Sequence, residues 1–103
     1  MSKFGLYSKI MAQPGQRDAL VAGLLEAAAL MQHIRGCELY IVNVSTSEPD
    51  VVWVTEVWRN ASDHQASLAQ EEIKELIKRT MPLINGGERI GIVHIAGKGL
   101  TTE

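Results

Sequence analysis

The chain of 103 residues has one cysteine, Cys37, so no internal disulfide framework can form, and the composition points to a reducing cytoplasm. It also lacks a basic excess. A formal net charge of −2 supplies no positive field for phosphates, which argues against a nucleic-acid partner. No apolar run approaches the ~20 residues that a membrane span needs. The longest candidate, ALVAGLLEAAALM, is interrupted by Gly23 and Glu26, so no membrane partner is expected. The opening stretch MSKFGLYSKIM has none of the apolar character of a signal peptide. His33, His64 and His94 are widely spaced, and Cys37 forms no metal-ligand pattern with them, so no metal is expected. There is no Gly-x-Ser-x-Gly elbow. Asn85-Gly86-Gly87 reads as a turn before a strand, and Gly97-Lys98-Gly99 lies in the tail; neither opens a helix as a phosphate-cradling loop does.

What remains is 46% hydrophobic and 21% charged, the balance of one soluble globular domain covering residues 1–103. KFGLYSKIM (3–11) alternates as a strand should, with Phe4, Leu6 and Ile10 on one side and Lys3, Tyr7 and Lys9 on the other. After Pro14-Gly15, a helix is predicted from Gln16 to His33. Leu20, Leu24, Ala27, Ala28 and Met31 form its apolar stripe, widened by Val21 and Leu25, and Gly36 is expected to terminate it in a left-handed conformation. CELYIVNV (37–44) and VVWVTEVW (51–58) are two strands joined through STSEPD as a hairpin. A second helix, interrupted or bent around Ala69-Gln70, is predicted from about Ala61 to Thr80, and a last strand from Glu88 to Ile95.

The order β-α-β-β-α-β specifies an α+β, ferredoxin-like fold: a four-stranded antiparallel sheet with two helices on one face. Two helices cannot cover both faces. Yet Val52, Val54, Glu56 and Trp58 fall on one face of the third strand, and Val51, Trp53, Thr55 and Val57 on the other. Apolar bulk on both faces predicts a second copy of the chain packed sheet against sheet, a homodimer.

Asn60 is placed to cap the second helix, with Asp63 in the first turn as a short capping-box partner. His64 follows, with Ala61 and Leu68 on its side of the helix and Ser67 at i+3. If Leu68 packs inward, His64 points at the sheet near the end of the strand that carries Trp58. The positive helix end then lowers its pKa and favours a neutral imidazole, suited to a base or an acceptor. A lone helical histidine is more commonly solvated or hydrogen-bonded, and Trp58 and Trp53 serve equally well as packing anchors. Cys37, inside a strand, reads as a buried inert thiol. Glu71, Glu72, Lys74, Glu75 and Lys78 form a solvated helix face.

In order and spacing, several short pieces resemble the antibiotic biosynthesis monooxygenase family of dimeric α/β-barrel proteins. These are Pro14-Gly15, Gly36-Cys37 with Tyr40, Glu56-x-Trp58, His64-x-x-Ser67-Leu68 and Pro82-Leu83-Ile84. The resemblance implies a dimer whose subunits each hold an apolar pocket between sheet and helices. It also implies a reaction in which a quinol, phenol or anthrone-like aromatic is oxidised by O2 without metal, flavin or other cofactor. On that reading His64 is the base or hydrogen-bond partner, Trp58 a pocket wall and Tyr40 a polar contact, with Ser67 and Leu68 also against the substrate. The first strand has no asparagine, which separates the chain from haem-degrading relatives. Two alternatives share the fold, a small-molecule-binding dimer without turnover and a non-redox isomerase.

Overall fold

Each strand of the sheet pairs antiparallel with its neighbour, and the apolar strand Val51–Trp58 lies inside. The computed structural model describes residues 3–99. Its strands are β1 (Lys3–Ala12), β2 (Cys37–Val44), β3 (Val51–Trp58) and β4 (Ile84–His94), arranged β2-β3-β1-β4. Helices α1 (Arg17–Met31), α2 (Ala61–Ser67) and α3 (Glu71–Thr80) complete the ferredoxin-like α+β fold, with a 3-10 turn at Met81–Leu83. Among the described residues, no helix is long and apolar enough to cross a membrane.

The register sorts the side chains. Ser8 lies opposite Val54, and Leu6 opposite Glu56. One face therefore carries Leu6, Ser8, Ile10 and Ala12 beside Val52, Val54, Glu56 and Trp58. Ala12, Leu20, Val52 and Val54 form a buried cluster on this side, with Ile10, Leu24 and Val42 packed against it. Leu20 is fully buried, so Leu20→Ala belongs to the core truncations that cost about 2–5 kcal/mol. The opposite face carries Tyr7, Met11, Ile41, Trp53 and Ile90, all exposed, with Trp53 37% accessible. The doubled apolar character of β3 is thus divided between a covered face and an open one.

Several boundaries differ from expectation for local reasons. The first helix starts at Arg17 and ends at Met31, with Gln16 and Gln32 as caps. Leu25 is 53% exposed and lies off the buried stripe, which Gly23 joins. The chain leaves α1 through successive tight turns, with the N–H groups of Gln32, His33 and Ile34 donating to the carbonyls of Ala29, Leu30 and Met31. Gly36 is not left-handed. Its role is close approach: a Cβ there would lie 2.5 Å from the Asp63 Cβ, and its carbonyl accepts the Arg59 N–H at 2.8 Å. The interruption or bend expected around Ala69-Gln70 is a full break, with α2 ending at Ser67 and α3 beginning at Glu71. Asn85-Gly86-Gly87 is not a turn before the last strand but lies within β4, which begins at Ile84. Gly86 has φ +103° there, and the β1–β4 register shifts between Ile10 and Ala12, the mark of a β-bulge.

Candidate active site

Asn60 fixes the start of α2. It is extended, and its Oδ1 accepts the Asp63 N–H at 2.8 Å, a cap of the kind that stabilises a helix end by about 1 kcal/mol. The Asp63 carboxylate does not close a capping box; it takes the Arg59 Nε–H at 2.6 Å. With the helix start held at both places, His64 faces inward and is buried. Its ring stands edge-on to the Trp58 indole at 5.2 Å between centroids and lies 6.0 Å from Phe4. Ser67 donates its hydroxyl to the His64 carbonyl at 2.6 Å, which ties the hydroxyl to the helix backbone.

Beneath this helix lies a cavity of about 220 Å³, bounded by the covered sheet face and the helices. Tyr40, Trp58, His64, Ser67 and Leu68 all line it. Every candidate from the sequence is therefore brought to one place, and most of the remaining wall is aliphatic, including Leu24, Val54, Ile73 and Leu76. Such an apolar hollow with a few convergent polar groups is the usual form of a small-molecule site.

Four further polar residues line the cavity and were not assigned from sequence: Ser8, Glu56, Thr80 and Arg89. Glu56 is 7% exposed and accepts the Trp58 Nε1–H at 2.8 Å on Oε1. Burial raises its pKa above the usual carboxylate range, opposed by the indole hydrogen bond and the Arg89 charge. Tyr40 faces Glu56 directly across the β2–β3 ladder. Burial, then the nearby Glu56, pushes its phenol well above the usual range, so it stays a neutral O–H. Arg89 lies opposite Ser8 across the β1–β4 ladder.

The His64 pKa is lowered, as expected. Burial is the largest contribution and the Arg89 charge the second. The imidazole is therefore neutral near pH 7. Cys37 stands apart from the cavity, with its thiol raised to about 11 by burial and the Glu56 charge, which keeps it in the unreactive form. Glu56 carried one signal in the sequence, an acid in step with Val52, Val54 and Trp58. Ser8 carried a similar one, a hydroxyl in step with Phe4, Leu6 and Ile10, whereas Arg89 carried none that composition or spacing reveals.

The family model of antibiotic biosynthesis monooxygenases matches residues 4–79. A structure from Chloroflexus aurantiacus, provisionally named an antibiotic biosynthesis monooxygenase, is 38% identical, with a TM-score of 0.86 over 96% of this chain and 99% of that one. A Pseudomonas aeruginosa protein matches at 19% identity and TM-score 0.84, over 93% and 97% of the two chains. A Deinococcus radiodurans protein of the same provisional name matches at 21% and 0.77, over 95% and 96%. These last two speak to the fold alone. No protein of curated function matches the chain. With three quarters of its length under the family model and a relative of this identity matching end to end, the chain belongs to the antibiotic biosynthesis monooxygenase family.

Proposed function

We propose that the chain is a cofactor-independent monooxygenase that oxidises a quinol, phenol or anthrone-like aromatic with O2, with His64 as the base. The observation that carries this reading is a buried imidazole, held neutral and packed on Trp58, at the wall of an apolar cavity. His64 takes the acidic proton of the substrate. The resulting anion is electron-rich enough to pass an electron to O2, and the radical pair then joins carbon to oxygen. For a phenol or an anthrone, one oxygen atom enters the ring as the new carbonyl and the other leaves as water with the two hydrogens lost. The substrate supplies all four electrons, so no external reductant is needed. A quinol takes the electron-transfer step only: it gives up two electrons and two protons to O2, no carbon–oxygen bond forms, and hydrogen peroxide leaves, so on that substrate the same site acts as an oxidase. The aliphatic wall serves the same chemistry by excluding water from the anion and the reduced oxygen.

The reading includes a homodimer, with a second copy covering Tyr7, Met11, Ile41, Trp53 and Ile90 on the open sheet face. A thiol kept in its unreactive form at Cys37 fits a cytoplasmic setting.

The test is oxygen uptake by metal-free, flavin-free protein offered a panel of hydroquinones, naphthols and anthrones. His64→Ala should lower turnover by about 10²-fold or more, the scale of a lost general base. Turnover within a factor of about two of wild type would remove His64 from the base's role, since such a loss is far below that scale. Saturable binding without oxygen uptake or product would instead mark a binding protein, and product formed without oxygen an isomerase.

A further inference from the structure

Ser8 is the anomaly of the cavity. It stands on the central strand β1, is 6% exposed and lines the hollow, and its Oγ is buried without a hydrogen-bond partner. A buried hydroxyl left unpaired is destabilising, and folded proteins rarely retain one without a use. Its cross-strand neighbour is Arg89, which lines the same cavity and whose charge reaches Glu56, Tyr40 and His64. Ser8 and Arg89 are thus register partners at the sheet wall of a largely aliphatic space, the hydroxyl buried and the arginine reaching the cavity from a solvent-exposed position.

We propose that this pair is an oxygen-binding subsite, which holds a hydroxyl or phenolate oxygen of the aromatic ligand between Ser8 Oγ and the Arg89 guanidinium. The inference rests on the cavity being the ligand site, and not on turnover. The hydroxyl completes its hydrogen bonding with the ligand, and the guanidinium favours the ionised form of the bound oxygen. Size narrows the class further. A dry cavity of about 150 Å³ holds one benzene ring, so the 220 Å³ here suits a hydroxyarene of one or two rings better than a three-ring anthrone. The ligand class assigned is thus a mono- or bicyclic hydroxyarene, with its oxygen toward β1 and β4 and its ring among Leu24, Val54, Leu76 and Trp58.

Equilibrium dialysis under argon separates this from the oxygenase reading, because no reaction is needed. The probes are 2-naphthol and 2-methylnaphthalene, nearly the same shape, with a methyl in place of the hydroxyl. Wild type should prefer the naphthol by roughly tenfold, the scale of a buried hydrogen bond to a charge-assisted site. Ser8→Ala and Arg89→Met should each remove most of that preference by weakening naphthol binding, with methylnaphthalene binding unchanged. Ser8→Ala should also melt no lower than wild type, since it deletes an unpaired buried hydroxyl. Equal binding of the two probes to wild type, an unchanged preference in Ser8→Ala, or a clear fall in its melting temperature would overturn the subsite while leaving the cavity as a ligand site. Binding of neither probe would overturn both.

Discussion

The Trp58 indole N–H donates to Oε1 of Glu56, two residues earlier on the same strand, at 2.8 Å, and the pair is buried together against the cavity. The hydrogen bond favours the ionised carboxylate and burial opposes it more strongly, so the Glu56 pKa stays raised. Trp58→Phe keeps most of the ring and removes the donor. It should raise the Glu56 pKa further and destabilise the fold by about 1–3 kcal/mol, the cost of stranding a buried acceptor. Urea denaturation reads the loss, and isotope-edited NMR of the Glu56 carboxyl carbon reads the shift.

Glu56 also imposes a slope on stability. Its folded pKa lies above the ordinary value of 4.5, so between the two the native state holds more protons than the unfolded chain, and stability falls as pH rises through that window. Glu56→Gln removes this term and can still accept from the indole. Its urea midpoint should therefore exceed that of wild type increasingly from pH 4.5 upward. A constant difference between the two proteins across that range would contradict the raised pKa.

His64 runs the opposite way. Its folded pKa lies below 6.5, so under mildly acidic conditions the unfolded chain binds more protons, and stability is lost as pH falls from 6.5 through the folded value. His64→Phe should flatten that acid limb. On the proposed mechanism the same titration limits turnover, which should be flat above 6.5 and decline below it. An imidazole NMR titration with its midpoint above 6.5 would contradict both statements.

Asn60→Ala removes the acceptor for the Asp63 N–H. The expected loss is about 1 kcal/mol by denaturant unfolding. Turnover should fall as well, because the start of α2 sets where His64 stands. Asn60→Asp or Asn60→Ser, which keep a capping oxygen, should restore both.

The open sheet face makes a separate prediction. Wild type should sediment at twice its 11.3 kDa chain mass at micromolar concentration. Trp53→Asp should shift it toward the monomer, because a charge buried without a partner in such an interface costs several kcal/mol. Wild type sedimenting as a monomer would leave the face uncovered and sink the assembly.

Much of this molecule is written in local chemistry. The β-branched runs of β2 and β3, the apolar stripe of α1 and the Asn60 cap depend on neighbours a few residues away, and their positions follow from period and capping rules. The candidates Tyr40, Trp58, His64, Ser67 and Leu68 were reached by resemblance as much as by physics, and the fold draws them around one cavity. What stayed hidden depends on distant partners. Gly36 is small because Asp63 approaches it, not because it ends a helix. Leu25 carries the right chemistry for the stripe but faces solvent. Ser8 and Arg89 meet only through the pairing of the first strand with the last.

The irregularity in β4 has a consequence for where the charge goes. Ile84 pairs with Ala12 and Gly87 with Ile10, so three steps along β4 match two along β1. The surplus residue reverses the alternation, so Ile84 and Arg89, five positions apart, both look into the cavity. Shortening the stretch Asn85–Gly86 by one residue would remove the surplus and leave Ile84 and Arg89 an even step apart, so regular alternation would keep both on the cavity face. Among the described residues the one cation lining this hollow is thus aimed by its pairing with β1, and the bulge absorbs the odd count between Ile84 and Arg89; a bulge-free β4 of the same length could not hold both inward.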